Sequence, residues 1–189
     1  MMEFLKEVRQ NSKDRSPGLD LEVLSILVDI CCSKMGSFPR LTALIWICDY
    51  LKYYTRADEL QKTSQLSMNE TSTNPVLKKI FDILRAVLVC LSDDEEEIRK
   101  AAAKNNVLLL SFIEKFKPSS EELNQIVAVL KEMLKDNKAN TTESVLLWMI
   151  QLMNKFSSEM LTMMEGVLEK LIEKLTESEE SVIHNSTCD

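Results

Sequence analysis

Five consecutive acids, Asp93 to Glu97, stand in the stretch CLSDDEEEIRKAA at 90–102 and are followed at once by Ile98, Arg99 and Ala102. Carboxylates at this density are the raw material of divalent-metal sites and of general acid–base pairs. Either use needs oxygens that converge, whereas successive residues of a helix splay by about 100° each. Punctuation between two helices fits the neighbours better. Leu88 and Leu91 finish one apolar run, Ser92 or Asp93 caps the next helix, and Asp94 to Glu97 fill its first turn. Negative charge there meets the positive end of the helix dipole. Ile98 and Ala102 then turn inward at i and i+4, and Arg99 is placed to reach a neighbouring acid across a stack of helices.

Other reactive constellations are scarce. His184 is the single histidine, so His/Cys metal clusters and Ser-His-Asp relays have almost no material. Three scattered glycines make no phosphate-cradling loop. The five cysteines, Cys31, Cys32, Cys48, Cys90 and Cys188, include no CxxC pair, and four sit in apolar helical patterns. They read as buried reduced thiols of a cytosolic protein. The adjacent Cys31 and Cys32 raise a redox reading, but their side chains diverge on a helix. No enzymatic activity, cofactor or metal is expected. A net charge of −7 disfavours both nucleic acid and direct adsorption to an anionic membrane.

The elements that position these residues are helical. With 3 Gly and 4 Pro in 189 residues, strands and tight turns lack their usual punctuation. Apolar spacing places helices near 2–10, 19–34, 39–56, 74–91, 94–115, 119–136, 140–156 and 158–176, and a ninth begins near Glu179. The clearest stripe runs through Met160, Met164, Val167, Leu168, Leu171, Ile172 and Leu175; a second uses Leu123, Ile126, Val127, Leu130, Met133 and Leu134. One-sided helices alternate with others that are apolar nearly all round, such as the one carrying VLLWMI at 145–150. That alternation predicts stacked hairpins.

An internal repeat gives the stack its period. TALIWICDYLKYY at 42–54 aligns without gaps on SVLLWMIQLMNKF at 144–156, which sets Trp46 on Trp148. LSDDEEEI at 91–98 aligns on LTESEESV at 175–182, twice 42 residues on. A unit of roughly 42 residues is the size of a HEAT or armadillo hairpin. The reading is therefore an all-α, right-handed α-solenoid of about four such hairpins at 19–56, 74–115, 119–156 and 158–189. Residues 1–10 read as the end of a preceding repeat, 57–73 as a polar surface insertion, and the whole as a single segment of a longer stack. Asp93, Ile98, Arg99 and Ala102 form the HEAT-turn signature, and Leu41, Trp46 and Trp148 belong to the inter-repeat core. Tyr53, Asn105 and Asn106 are the candidates for a partner surface.

Three stretches resemble one family: EFLKEVRQN at 3–11; ILVDIC at 26–31 with PRLTALIWICDYL at 39–51; and ILRAVLVCLSDDEEEIRKAAAKNN at 83–106. The LTAxxW core (Leu41, Thr42, Ala43, Trp46) and the order ILxAVLxCL from Ile83 to Leu91 are similar to helices of the vacuole-morphology HEAT-repeat scaffold family. Likeness continues more weakly through IVAVLKEML and VLLWMIQLM. The chain departs from that family after Phe116, where KFKPSSEE stands in place of a long acidic insert.

The resemblance implies a non-catalytic scaffold that holds a PIKfyve-type phosphatidylinositol 3-phosphate 5-kinase with the opposing Sac-type lipid phosphatase. It further implies self-association, and a cytoplasmic location peripheral to endolysosomal or vacuolar membranes, with membrane contact only through the complex. It assigns no residue to either enzyme. Two other readings use the same fold: an adaptor or transport-receptor segment binding extended peptides in a groove of Asn and aromatic side chains, and an RNA-binding helical-repeat domain, which needs a basic face.

Overall fold

The computed structural model describes residues 17–63, 75–116, 118–135 and 138–163. Among them are seven α-helices: α1 (Pro17–Cys32), α2 (Ser37–Thr63), α3 (Pro75–Cys90), α4 (Glu96–Phe116), α5 (Ser120–Met133), α6 (Ala139–Lys155) and α7 (Ser157–Met163). No strand occurs among the described residues. The expected helix at 2–10, the part of the 158–176 helix beyond Met163, and the ninth helix near Glu179 lie outside them.

The chain divides into two compact units, one up to Phe112 and one from Ile113, with the division inside α4. In the first unit α1 packs on α2 and on α3, and α2 also meets α3. Asn105 of α4 hydrogen-bonds to the backbone of α2 at Leu44. First helices of successive hairpins thus meet each other, and so do second helices. The second unit repeats the rule: α5 packs on α6 and on α7, and α6 meets α7. Contact between each helix and the one two places on is the order of an α-solenoid, in which a hairpin buries its apolar faces against its neighbour. The fold is all-α in that order within each unit.

Apolar spacing explains which faces are covered. Ile80, Ile83, Leu84, Val87, Leu88 and Leu91 recur in steps of three, one, three, one and three, and all are buried. On α5 the expected stripe Leu123, Ile126, Val127, Leu130, Met133 and Leu134 is likewise buried. The start of α5 is fixed locally. Ser119 Oγ accepts from the Glu122 amide at 3.3 Å, and the Glu122 carboxylate accepts from the Ser119 amide at 2.7 Å. This capping box satisfies amide groups that have no partner within the first turn.

One boundary differs from the sequence reading. α2 continues to Thr63, so residues 57–63, expected in the surface insertion, are helical. Ala57, Glu59, Leu60, Gln61 and Lys62 are good helix formers, and no Gly or Pro stops the helix after Thr55. Polarity had suggested an excursion where the backbone continues as helix.

Candidate interaction surface

The acidic turn comes first. α4 starts at Glu96, and Asp94 to Glu97 are all exposed, as expected for a solvated run. Glu96 pairs with Lys100 one turn on at 2.6 Å, in open solvent. Asp93 stands apart. Its Oδ1 accepts from the Glu95 amide at 3.1 Å, which shapes the turn. Its Oδ2 pairs with the guanidinium of Arg40, in the first turn of α2. Ile98 and Ala102 are fully buried.

Arg99 does something other than expected. Its guanidinium donates to the carbonyl oxygens of Asp93 at 2.6 Å and Asp94 at 2.8 Å, tying down its own turn instead of reaching an acid across the stack. Arg40 takes that acid. Arg40 and Arg99 each precede a buried alanine by three residues, Ala43 and Ala102. They are equivalent positions of successive hairpins, 59 residues apart: one 42-residue period and the 17 residues of 57–73. Arg40 of the first hairpin therefore grips Asp93 of the second. This ion pair joins the start of α2 to the turn that precedes α4.

Two predicted surface residues are not on the surface. Asn105 and Asn106 are 1% and 8% exposed, which corrects their placement on a partner-binding face. The Asn105 amide nitrogen donates to Leu44 O at 2.9 Å and to Ala101 O at 3.1 Å. Its role is to join α2 and α4, and polar character alone misplaced it. Tyr53 is 55% exposed. It meets Tyr54 edge to face at 5.2 Å, and Tyr54 lies parallel to the buried Tyr50 at 6.4 Å. The aromatic group thus runs from core to solvent in one helical turn.

Trp46 and Trp148 share a repeat position but not an environment. Trp148 is fully buried, whereas Trp46 and Leu41 are half-buried. Trp46 lies at the edge of an almost wholly apolar groove of about 430 Å³ between α1 and α2. Val23, Ile26 and Ile30 form one wall, and Phe38, Thr42 and Trp46 the other. Ile26 and Phe38 are 58% and 71% exposed. Sequence reasoning missed this groove. Its signal was present in the density of apolar residues on both helices, which was read as core. In the second unit, Leu147, Ile150 and Met153 are exposed on α6 at three-residue steps.

The four described cysteines differ in access. Cys31, Cys48 and Cys90 are buried, and Cys32 is exposed. The Cys90 thiol lies 3.6 Å from the carbonyl oxygen of Cys31. A hydrogen bond shared with Cys90, and then burial, push the Cys31 thiol far above the ordinary range, while the same bond draws Cys90 down. Burial raises Cys32 as well, helped by Cys90 and Asp29. No group of three or more His, Cys, Asp or Glu side chains that could hold a metal ion occurs among the described residues. No described helix is long and apolar enough to cross a membrane.

No family model matches the chain. No solved structure matches it either. Among curated proteins the chain is similar to Protein VAC14 homolog of Arabidopsis thaliana, 29% identical over 185 residues. The aligned part is 97% of this chain and 21% of that relative, so the chain spans about a fifth of the relative's length. The Arg40–Asp93 pair and the Trp46 helix lie in the stretches that resembled the vacuole-morphology family, and the similarity to the VAC14 homolog extends over 97% of the chain.

Proposed function

We propose that this chain is a non-catalytic scaffold segment, part of a HEAT-repeat subunit of a phosphoinositide kinase complex. The observation that carries the reading is the similarity to the VAC14 homolog along 97% of the chain, in the same helices whose packing residues resemble the family. Its work is geometric. A stack of about four hairpins, at about 19–56, 74–115, 119–156 and 158–189, keeps a phosphatidylinositol 3-phosphate 5-kinase and the opposing lipid phosphatase near each other. That raises their effective concentration with no chemistry of its own. The complex sits at endolysosomal or vacuolar membranes, touches lipid through its enzymes, and includes self-association of the scaffold.

Burial of Asn105 and Asn106 counts against the extended-peptide adaptor with an asparagine-lined groove. The test is affinity purification of the full-length parent protein from its own cells. Co-purification of a 5-kinase activity on phosphatidylinositol 3-phosphate, together with a phosphatase activity on the product, is the expected result. Recovery of neither sinks the reading.

A further inference from the structure

The apolar groove of the first hairpin is built to receive something. Ile26 and Phe38 are large, apolar and more than half exposed on facing walls, and Trp46 lies half-buried beside them. Helical spacing extends the α2 wall. Phe38, Thr42, Trp46, Asp49 and Tyr53 follow one another in steps of four, four, three and four, one face of the helix. The groove therefore runs in line with a further exposed aromatic ring.

Charge indicates what fits. α1 carries Asp20, Glu22 and Asp29 and not one Lys or Arg. Glu22 and Asp29 are exposed and flank Ile26 at i−4 and i+3, so a negative rim borders the apolar wall. On the α2 side the same face holds Asp49, which has Lys52 of its own helix at 3.9 Å. An apolar trough with an acidic rim along α1 is the complement of an amphipathic helix with apolar anchors at i, i+3, i+4 and i+7 and flanking Lys or Arg. A hydrophobic face rimmed by charge is also the usual mark of a protein-interaction site.

We propose that the α1–α2 groove is a docking site for a basic amphipathic helix of a partner protein. Ile26, Phe38 and Trp46 take its apolar side chains, and Glu22 and Asp29 take its cations. The inference deepens the scaffold reading, on which it rests for the partner being a protein.

The test titrates the intact chain with two synthetic 15-residue helical peptides. Both place Leu at i, i+3, i+4 and i+7; one carries Lys elsewhere and the other Glu. The Lys peptide is expected to bind at least about tenfold tighter than the Glu peptide, and to move Trp46 emission to shorter wavelength. Ile26→Ser and Phe38→Ser should each weaken binding about tenfold or more, without loss of helical circular dichroism, because both side chains are largely exposed. Glu22→Lys with Asp29→Lys should erase the preference for the Lys peptide. Ile150→Ser, on the exposed face of α6, should leave binding unchanged.

Equal binding of the two peptides overturns the proposal, as does indifference to Ile26→Ser and Phe38→Ser. Concentration-dependent dimerisation that Phe38→Ser abolishes would assign the groove to a second copy and overturn it. So would a gain in peptide affinity on Leu5→Asp, which would place the chain's own first residues there. The titration is blind to which enzymes the parent carries. Its failure leaves the scaffold reading intact, and failure to recover kinase and phosphatase leaves the groove intact.

Discussion

Asn105 in α4 donates from its side-chain nitrogen to the main-chain oxygen of Leu44 in α2, at 2.9 Å and across 61 positions of sequence. The same nitrogen binds Ala101 O one turn back, so both of its hydrogens are engaged. Its Oδ1 is buried with no partner. Asn105→Ala removes both hydrogen bonds and opens a gap, and should cost about 1–3 kcal/mol. Asn105→Leu keeps the volume and discards the unsatisfied oxygen, so it should cost less. Urea denaturation of both variants checks the order. A larger loss for Leu than for Ala would mean that the amide matters beyond these two bonds.

Arg40 and Asp93 give a second test. The pair is mostly covered, with side chains 21% and 8% exposed, and Asp93 is the more deeply held partner. Removing Arg40 leaves that carboxylate short of its cation, so Arg40→Ala should destabilise by about 1–3 kcal/mol. The double variant with Asp93→Asn should lose less than the sum of the two single losses, because they share one interaction. Strict additivity in denaturation midpoints would show that the two side chains do not support each other.

Ser119 makes a local prediction. Its hydroxyl accepts the Glu122 amide in the capping box at the start of α5. Ser119→Ala should cost about 1 kcal/mol, whereas Ser119→Asp should keep most of the stability. Hydrogen exchange at the first-turn amides should accelerate in the alanine variant alone.

Thiol reactivity follows from burial and its effect on ionisation. Cys32 is exposed, so in the native protein it should be alkylated before Cys31, Cys48 and Cys90. Its raised pKa means less thiolate at neutral pH, so its rate should lag that of a free cysteine and keep climbing as the solution becomes alkaline. Peptide mapping after brief iodoacetamide treatment at several pH values reads both effects. Prompt labelling of Cys31 at neutral pH would contradict its high pKa.

What the sequence made legible was whatever depends on near neighbours. Leu123, Ile126, Val127 and Leu130 are covered because their spacing aligns them on one face of α5, and that spacing is readable. Ile98 and Ala102 face inward for the same reason. Arg99 and Arg40 show the limit. Both can reach Asp93, and only the docking of α2 beside the α3–α4 turn, far away in sequence, gives the acid to Arg40. Trp46 and Trp148 occupy one repeat position, yet burial depends on what lies over each helix, which no repeat alignment contains. Asn105 was misread because a polar side chain is ordinarily solvated, and this one is offset by hydrogen bonds to a distant helix.

The arginine-to-aspartate clasp has an evolutionary corollary. Because Arg40 and Asp93 fix how the first hairpin meets the second, the stretch between Thr63 and Pro75 is relieved of setting that alignment. Its length can therefore drift in related genes. Codon insertions and deletions should accumulate there while the two clasp residues stay put, making this the natural place to splice in an epitope or a fluorescent reporter.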